Sequence, residues 1–280
     1  MRFEKYAGAE AFGADVLESL LENEVQNNLL ISFILREGDK SGWLFATVKD
    51  DAGSVVLTAA WTGLPFNIVL YETGNNPCDA ALKVLADELK AQDFAFPGVL
   101  AEQGLAKRFA DTWTSRHHVH VSMNIMRLDT VIEPAKAPGH CRMLREDDLF
   151  YVPYWERSFA EDCNVEVFDI PANLARVKER LGKDTHYIWE DWHPVSQAAL
   201  ERNTQNGAVI GHVYTPPFYR GKGYASSVVA RLSQDLLERG NRFCCLFADA
   251  ANPISCGIYR KLGYRDLCVY DSITFEGEKA

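Results

Sequence analysis

Apolar positions recur along the chain in two blocks of similar plan. In the first, Phe12, Val16 and Leu20 share one helical face, and residues 43–49, 54–61 and 66–71 read as strands separated by turn residues. Leu82, Leu85 and Leu89 mark another helix, and a short apolar run follows at 98–101. Val119, Val121, Met123 and Ile125 then alternate as a half-buried strand. The predicted order is helix, antiparallel strands, helix, strand, helix, strand.

Residues 130–143, with Pro134, Pro138 and Gly139, interrupt this periodicity and are the expected linker, giving domains 1–135 and 136–280. In the second block a helix is expected after Glu146 and another from Pro171, with Leu174, Val177 and Leu181 on one face. Strands are predicted at 185–192 and 195–201, divided by His193-Pro194, and at 208–215. Ala225, Val228, Val229, Leu232 and Leu236 then form a helical face ended by Gly240, and residues 242–247 form an apolar strand of the kind buried on both faces. Asn252 and Pro253 open a last helix with Ile254, Ile258 and Leu262 inward and Gly263 at its end, before a strand at 267–275. The class is α/β with mixed α+β sheets, two domains each built on a mixed, mostly antiparallel sheet flanked by helices.

Composition narrows the function. The chain is 280 residues long, 47% hydrophobic and 24% charged, with no apolar run of the ~18 residues a membrane helix needs. Residues 1–10 lack the apolar core of a secretory signal, so the expected location is cytoplasmic. Seven cysteines without a C-x-x-C spacing argue against a disulfide framework, and Cys244, Cys245, Cys256 and Cys268 read as small core residues. The net charge of −10 argues against nucleic-acid binding. It is uneven: residues 1–135 hold 11 basic against 19 acidic side chains, and the remainder 18 against 20. The second half is therefore the one compatible with an anionic ligand.

That half contains a strand, a proline-forced exit at Pro216-Pro217 and a glycine-rich turn, Arg220-Gly221-Lys222-Gly223-Tyr224-Ala225-Ser226, opening an amphipathic helix. Glycines let an anion approach the backbone, and first-turn N–H groups of a helix have no internal partner. Arg220 and Lys222 add charge and Ser226 a hydroxyl, whereas the bland alternative is a surface turn with incidental basic residues. A P-loop is excluded because Gly223 follows Lys222 and Pro216 stands where the first glycine belongs. A dinucleotide fingerprint fits poorly, since the strand is not directly followed by the glycines and Ser226 replaces the third. A kinase loop lacks its V-A-I-K and H-R-D partners.

The sequence resembles the GNAT superfamily of acyl-CoA-dependent N-acetyltransferases. Arg220-x-x-Gly223-x-Ala225 matches that family's turn, and Asn252, Tyr259, Gly263 and Tyr264 match its Asn-x6-Tyr-x3-Gly-Phe/Tyr ending, within a likeness spanning about residues 142–275. The resemblance implies an acetyl-CoA cosubstrate and no metal. Its pyrophosphate would lie on the backbone of residues 220–226 and its pantetheine arm along Val213, Tyr214 and Thr215. A backbone N–H near Val213 would face the developing oxyanion, and Asn252, besides capping its helix, would touch the cofactor arm. Tyr259 would be the general acid for the departing thiolate, its bland alternative being a tyrosine packed under the sheet. For a base the sequence offers His212, Glu201, Glu161 and Asp162 without selecting one, and water can serve instead. His117, His118 and His120 read as surface residues rather than metal ligands.

The first half has no equivalent of the basic turn. After Leu70-Tyr71 comes Glu72-Thr-Gly-Asn-Asn-Pro-Cys-Asp79, whose acids would repel a pyrophosphate. It reads as a degenerate GNAT-like domain without the cofactor motif, its acidity favouring a cationic acceptor. The expected function is transfer of an acetyl group to a primary amine of a small molecule, with no nucleic-acid or membrane partner. The alternatives are a non-catalytic acyl-CoA sensor and a module that binds another nucleotide.

Overall fold

The computed structural model describes residues 1–74 and 77–277. Its elements in order are β1 (Arg2–Lys5), α1 (Ala9–Glu22), α2 (Asn28–Leu35), β2 (Leu44–Lys49), β3 (Val55–Trp61), β4 (Ile68–Glu72), α3 (Asp79–Ala91), β5 (Gly98–Glu102), α4 (Gln103–Trp113) and β6 (His117–Leu128). There follow β7 (His140–Met143), α5 (Val152–Asp162), α6 (Ile170–Lys178), β8 (His186–Asp191), β9 (His193–Asn203), β10 (Gly207–Tyr214), α7 (Tyr224–Glu238), β11 (Phe243–Asp249), α8 (Pro253–Lys261) and β12 (Arg265–Phe275). No helix among the described residues is long and apolar enough to cross a membrane.

The chain forms two compact units, residues 1–124 with the segment from Cys268 onward, and residues 125–267. This differs from a cut at residue 135. The physical reason is strand pairing: β12 lies antiparallel beside β5, Tyr270 opposite Glu102 through Thr274 opposite Gly98, so the end of the chain belongs to the first unit's sheet. In that unit β1 to β4 are antiparallel neighbours and β4 runs parallel to β5. One face of the sheet packs Leu44, Leu57, Ile68 and Leu70 against Leu82, Leu85 and Leu89 of α3 and Phe109 and Trp113 of α4. The other packs Phe45 and Val69 under Phe12, Val16 and Leu20 of α1.

The second unit repeats the plan with β7, β8, β9 and β10 antiparallel and β11 parallel to β10. Val228, Val229, Leu232 and Leu236 of α7 cover Ala198, Ile210 and Leu246. Val152 of α5 and Val177 of α6 cover Ile188 from the other side. Glycine ends both α7 and α8 in the same way. Gly240 (φ +100°) and Gly263 (φ +103°) sit just past the last turns, where Asn241 N–H returns to Leu236 O at 3.3 Å and Tyr264 N–H to Tyr259 O at 3.0 Å.

Several elements differ from the sequence expectation. The segment after Glu146 is a 3-10 turn, Glu146–Phe150, anchored by the Asp148 carboxylate on Arg142 (2.6 and 2.8 Å), and the α-helix starts only at Val152. β7 lies inside the expected linker, while β1 and α2 had no periodic signal. His193-Pro194 does not divide two strands: Pro194 sits at the start of β9 opposite Glu190, where the register slips, so its missing N–H breaks no regular ladder. Ile254 is 77% exposed, because the inward face of α8 is carried by Cys256 and Tyr259 with Leu262 following. Cys268 is half-buried rather than core, and all seven cysteines are free.

The β5–β12 pairing leaves no room at Gly98, whose added Cβ would stand 2.0 Å from Ile273 O. Gly98→Ala is expected to cost at least about 1–3 kcal/mol, read as a lowered denaturation midpoint. Gly257→Ala, on α8 with open space around its Cβ, should instead gain roughly 0.5–1 kcal/mol through helix propensity.

Candidate active site

β10 pairs with β11 only over Gly207, Ala208 and Val209, so the C-terminal part of β10 diverges from its parallel neighbour. On its other side the register with β9 slips between Val209 and Ile210 and again between Gly211 and Tyr214. Gly211 faces Ala199 and Tyr214 faces Gln197, so three steps on β10 match two on β9, and His212 adopts φ +55°. The bulge takes His212 and Val213 out of both described registers, which is what a backbone needs if its N–H is to serve a ligand.

Beyond the bulge, Tyr214 is buried, and Thr215 is locked by Ser196, whose Oγ lies 2.7 Å from Thr215 Oγ1 and 3.1 Å from Tyr214 O. A 3-10 turn, Pro217–Tyr219, leads to Gly221 (φ +80°) and Gly223 (φ +85°). Both φ values lie where side chains are strained; a Cβ at Gly221 would meet nothing and one at Gly223 only Ala137 at 3.7 Å. Gly223 is the N-cap of α7 and brings no capping side chain to the first-turn amides of Tyr224, Ala225 and Ser226. Ser227 Oγ is buried without a hydrogen-bond partner among the described residues. An open backbone cradle and uncapped amides fit an anion.

The basic residues of the turn divide their roles. Lys222 is exposed, whereas Arg220 donates to Thr215 O at 2.9 Å and to Asp162 Oδ2 at 2.6 Å. Arg220 therefore braces the turn against the end of α5. Tyr224 donates to Asp191 Oδ2 at 2.5 Å, and this bond, with burial, pushes its hydroxyl up to about 12.

On α8, Asn252 Oδ1 accepts the Ser255 N–H at 3.0 Å, the cap expected from Asn-Pro. Tyr259 is buried, 5.9 Å from the Tyr264 ring centroid, and burial pushes its hydroxyl up to about 12 against the opposing hydrogen bond with Ser255. The same glycine that ends the helix fixes Tyr264 beside it, which gives the Tyr-x3-Gly-Tyr spacing a mechanical sense.

Of the four base candidates, the structure brings two together. His212 Nε2 contacts the Glu201 carboxylate, and its Nδ1 lies 2.5 Å from Glu156 Oε2. Arg180 donates to Glu156 Oε1 at 3.3 Å, and Gln197 donates to the same Oε1 at 3.0 Å. Glu156 and Arg180 were invisible in the sequence because they come from α5 and the end of α6, far from any motif. Glu161 is paired with Arg157 and Asp162 with Arg220. Burial disfavours the His212 charge, but Glu201 and Glu156 outweigh it and hold the imidazole up at about 9. Burial likewise opposes ionisation of Glu156, yet His212 and Arg180 keep it down at about 2, and Glu201 is lowered in the same way. His186, fully buried on Gln197, is pushed down to about 3 by desolvation.

In the first unit the corresponding turn is filled from within. Glu72 Oε1 accepts the Cys78 N–H at the start of α3 at 2.6 Å, and Arg108 binds both Glu72 and Asp79. Asn75 and Asn76 of that turn lie outside the described residues. His117 contacts Asp111 at 2.9 Å and His118 contacts Glu276 at 3.3 Å. Among the described residues no group of three or more His, Cys, Asp or Glu is placed to hold a metal.

The His212 cluster should leave a signature in stability against pH. A histidine raised from 6.5 to about 9 stabilises fully below pH 6.5 and loses this as pH rises through 9. Glu156, lowered from 4.5 to about 2, stabilises fully above pH 4.5 and loses it as pH falls. Denaturation of wild type and His212→Gln should therefore differ most near pH 5–6.5 and converge above about pH 9. A pH-independent difference would remove ion pairing as its cause.

Residues 193–272 match the family model described as FR47-like protein. No curated protein sequence matches the chain. Among solved structures, a GNAT-family acetyltransferase from Colwellia psychrerythraea is 8% identical with a TM-score of 0.62, over 98% of this chain and 99% of the other. A GCN5-related N-acetyltransferase from Sphaerobacter thermophilus is 15% identical with a TM-score of 0.64, over 98% and 95%. A tandem GNAT protein from the clavulanic acid biosynthesis pathway is 12% identical with a TM-score of 0.60, over 100% and 99%. Residues 193–272 thus carry an FR47-like sequence match, and the whole chain has the fold seen in a tandem GNAT protein.

Proposed function

We propose that the second unit is an acetyl-CoA-dependent N-acetyltransferase acting on a primary amine. The observation that carries this reading is the continuous track from the bulged, diverging end of β10 to the glycine cradle at the N-terminus of α7. The backbone from Arg220 to Ser226 would hold the pyrophosphate, with Lys222 supplying charge and Arg220 holding the turn. Val213, Tyr214 and Thr215 would pair with the pantetheine arm, and Asn252 would contact it from the start of α8. Acetyl-CoA supplies an acetyl group activated as a thioester.

The chain's residues then have limited but definite work. The N–H at Val213 would donate to the oxygen on which negative charge develops as the amine nitrogen bonds to the carbonyl carbon. As the carbon–sulfur bond breaks, Tyr259 would give its proton to sulfur, the acylated nitrogen would shed its extra proton to water, and Tyr259 would regain a proton from water; a hydroxyl pushed up to about 12 stays protonated at neutral pH and is ready to donate. Neither carboxylate of the His212 cluster is a good base when held so far below its ordinary range, and His212 is already protonated at neutral pH. The proton of the incoming ammonium would therefore go to water, and the cluster would act as a neutralised, rigid wall behind the bulge.

Thiol release from acetyl-CoA across a panel of amines tests the reading; uptake of acetyl-CoA with no turnover on any amine would point to a binding module instead. Tyr259→Phe should lower turnover more than about tenfold with CoA affinity nearly unchanged. Rate should rise with pH along the acceptor's own amine titration, so an acceptor of lower amine pKa should move that limb down by the same amount. A limb that stays fixed when the acceptor changes would reveal a base on the protein.

A further inference from the structure

We propose that Trp192 is a stacking platform for the adenine ring of the acyl-CoA cosubstrate, an inference that rests on the function proposed above. Trp192 alone connects β8 to β9, with Asp191 opposite His193, and it is 99% exposed. Its φ of +65° lies in the left-handed region, an uncommon place for a bulky side chain and one where strain tends to mark ligand contacts. The tight turn itself calls for a left-handed residue, but full exposure gives up the burial that makes tryptophan stabilising, so the fold accounts for the turn and not for the indole on it.

The neighbours of Trp192 tie it to the glycine turn. Asp191 on one side accepts from Tyr224, the first residue of α7, at 2.5 Å, and His193 on the other meets the Tyr219 hydroxyl at 2.9 Å. The base of the hairpin is also fixed, with Trp189 Nε1 donating to Pro138 O at 2.7 Å. Gly139 is packed so closely that an added Cβ would stand 2.1 Å from Glu190 O. Ala137 of the same segment is the neighbour of Gly223 in the turn. One set of contacts thus holds the turn that carries the exposed indole beside the cradle proposed for the pyrophosphate. The adenosine is the next part of the ligand beyond that pyrophosphate, and its base is a flat ring that stacks on indole without requiring any hydrogen-bond partner.

Trp192→Gly is the discriminating variant, because glycine accepts the left-handed backbone and keeps the hairpin. Calorimetric titration with CoA should show affinity reduced about fivefold or more, the factor for losing one base–aromatic stack. Acetyl-phosphopantetheine, which lacks the adenosine, should bind variant and wild type alike, thermal stability should be retained or raised, and Trp192→Phe should keep most of the CoA affinity. Equal CoA affinity in Trp192→Gly and wild type overturns the platform while leaving the acyl-CoA reading intact. An equal loss for both ligands also overturns it, since that would report damage to the turn. If folded wild type takes up no CoA, the acyl-CoA reading falls and the platform with it.

Discussion

The site depends on one extra residue in β10. A regular strand there would spend its N–H and C=O groups on β9 and β11; instead the three-against-two register between Gly211 and Tyr214 turns His212 and Val213 out of the ladder. A bulge holding a non-glycine residue at positive φ persists only if its surroundings fix it. Here the fixing is ionic, since the His212 ring lies between carboxylates on α5 and β9, with Arg180 on Glu156 balancing the charge. Removing one member of such a set leaves the others buried and unmatched, so the cluster matters to the shape of the backbone before it matters to any proton.

The two units show the same plan with the turn before the helix filled in one and open in the other. Each runs three antiparallel strands, a helix, a parallel strand and a helix. In the second unit the turn before the helix is open, glycine-built and uncapped. In the first, Glu72 presents a carboxylate of the chain itself to the helix amide at Cys78, and Arg108 neutralises it. The positive end of the helix is thus met by the chain's own carboxylate in the first unit, and in the second it is left open.

Much of this was legible in the letters, and what was hidden has identifiable causes. The glycine turn, the Asn252 cap and the helix-ending Gly263 are local signals, because they depend on neighbours a few residues away. α2 escaped because Asn28–Leu35 is apolar almost all round and has no polar face to give it a period. β7 escaped because four residues between turn-formers carry no alternation worth reading. The sequence placed His212 and Glu201 among the candidates, but their meeting with Glu156 and Arg180 depends on a helix–sheet contact that no spacing encodes. The contacts of the Arg220 guanidinium with Asp162 and Thr215 O are likewise set by a helix end far along the chain, which the turn motif does not encode.

The return of β12 to the first unit has a consequence for how the protein is made. Until the segment from Cys268 onward leaves the ribosome, β5 lacks its antiparallel neighbour, and the first unit carries an unpaired edge through the synthesis of the entire second one. The second unit has all of its own residues before the first has its last strand. A fragment ending near residue 135 would keep that edge permanently, which makes the first half a poor candidate for expression alone and gives the last strand the part of a clasp.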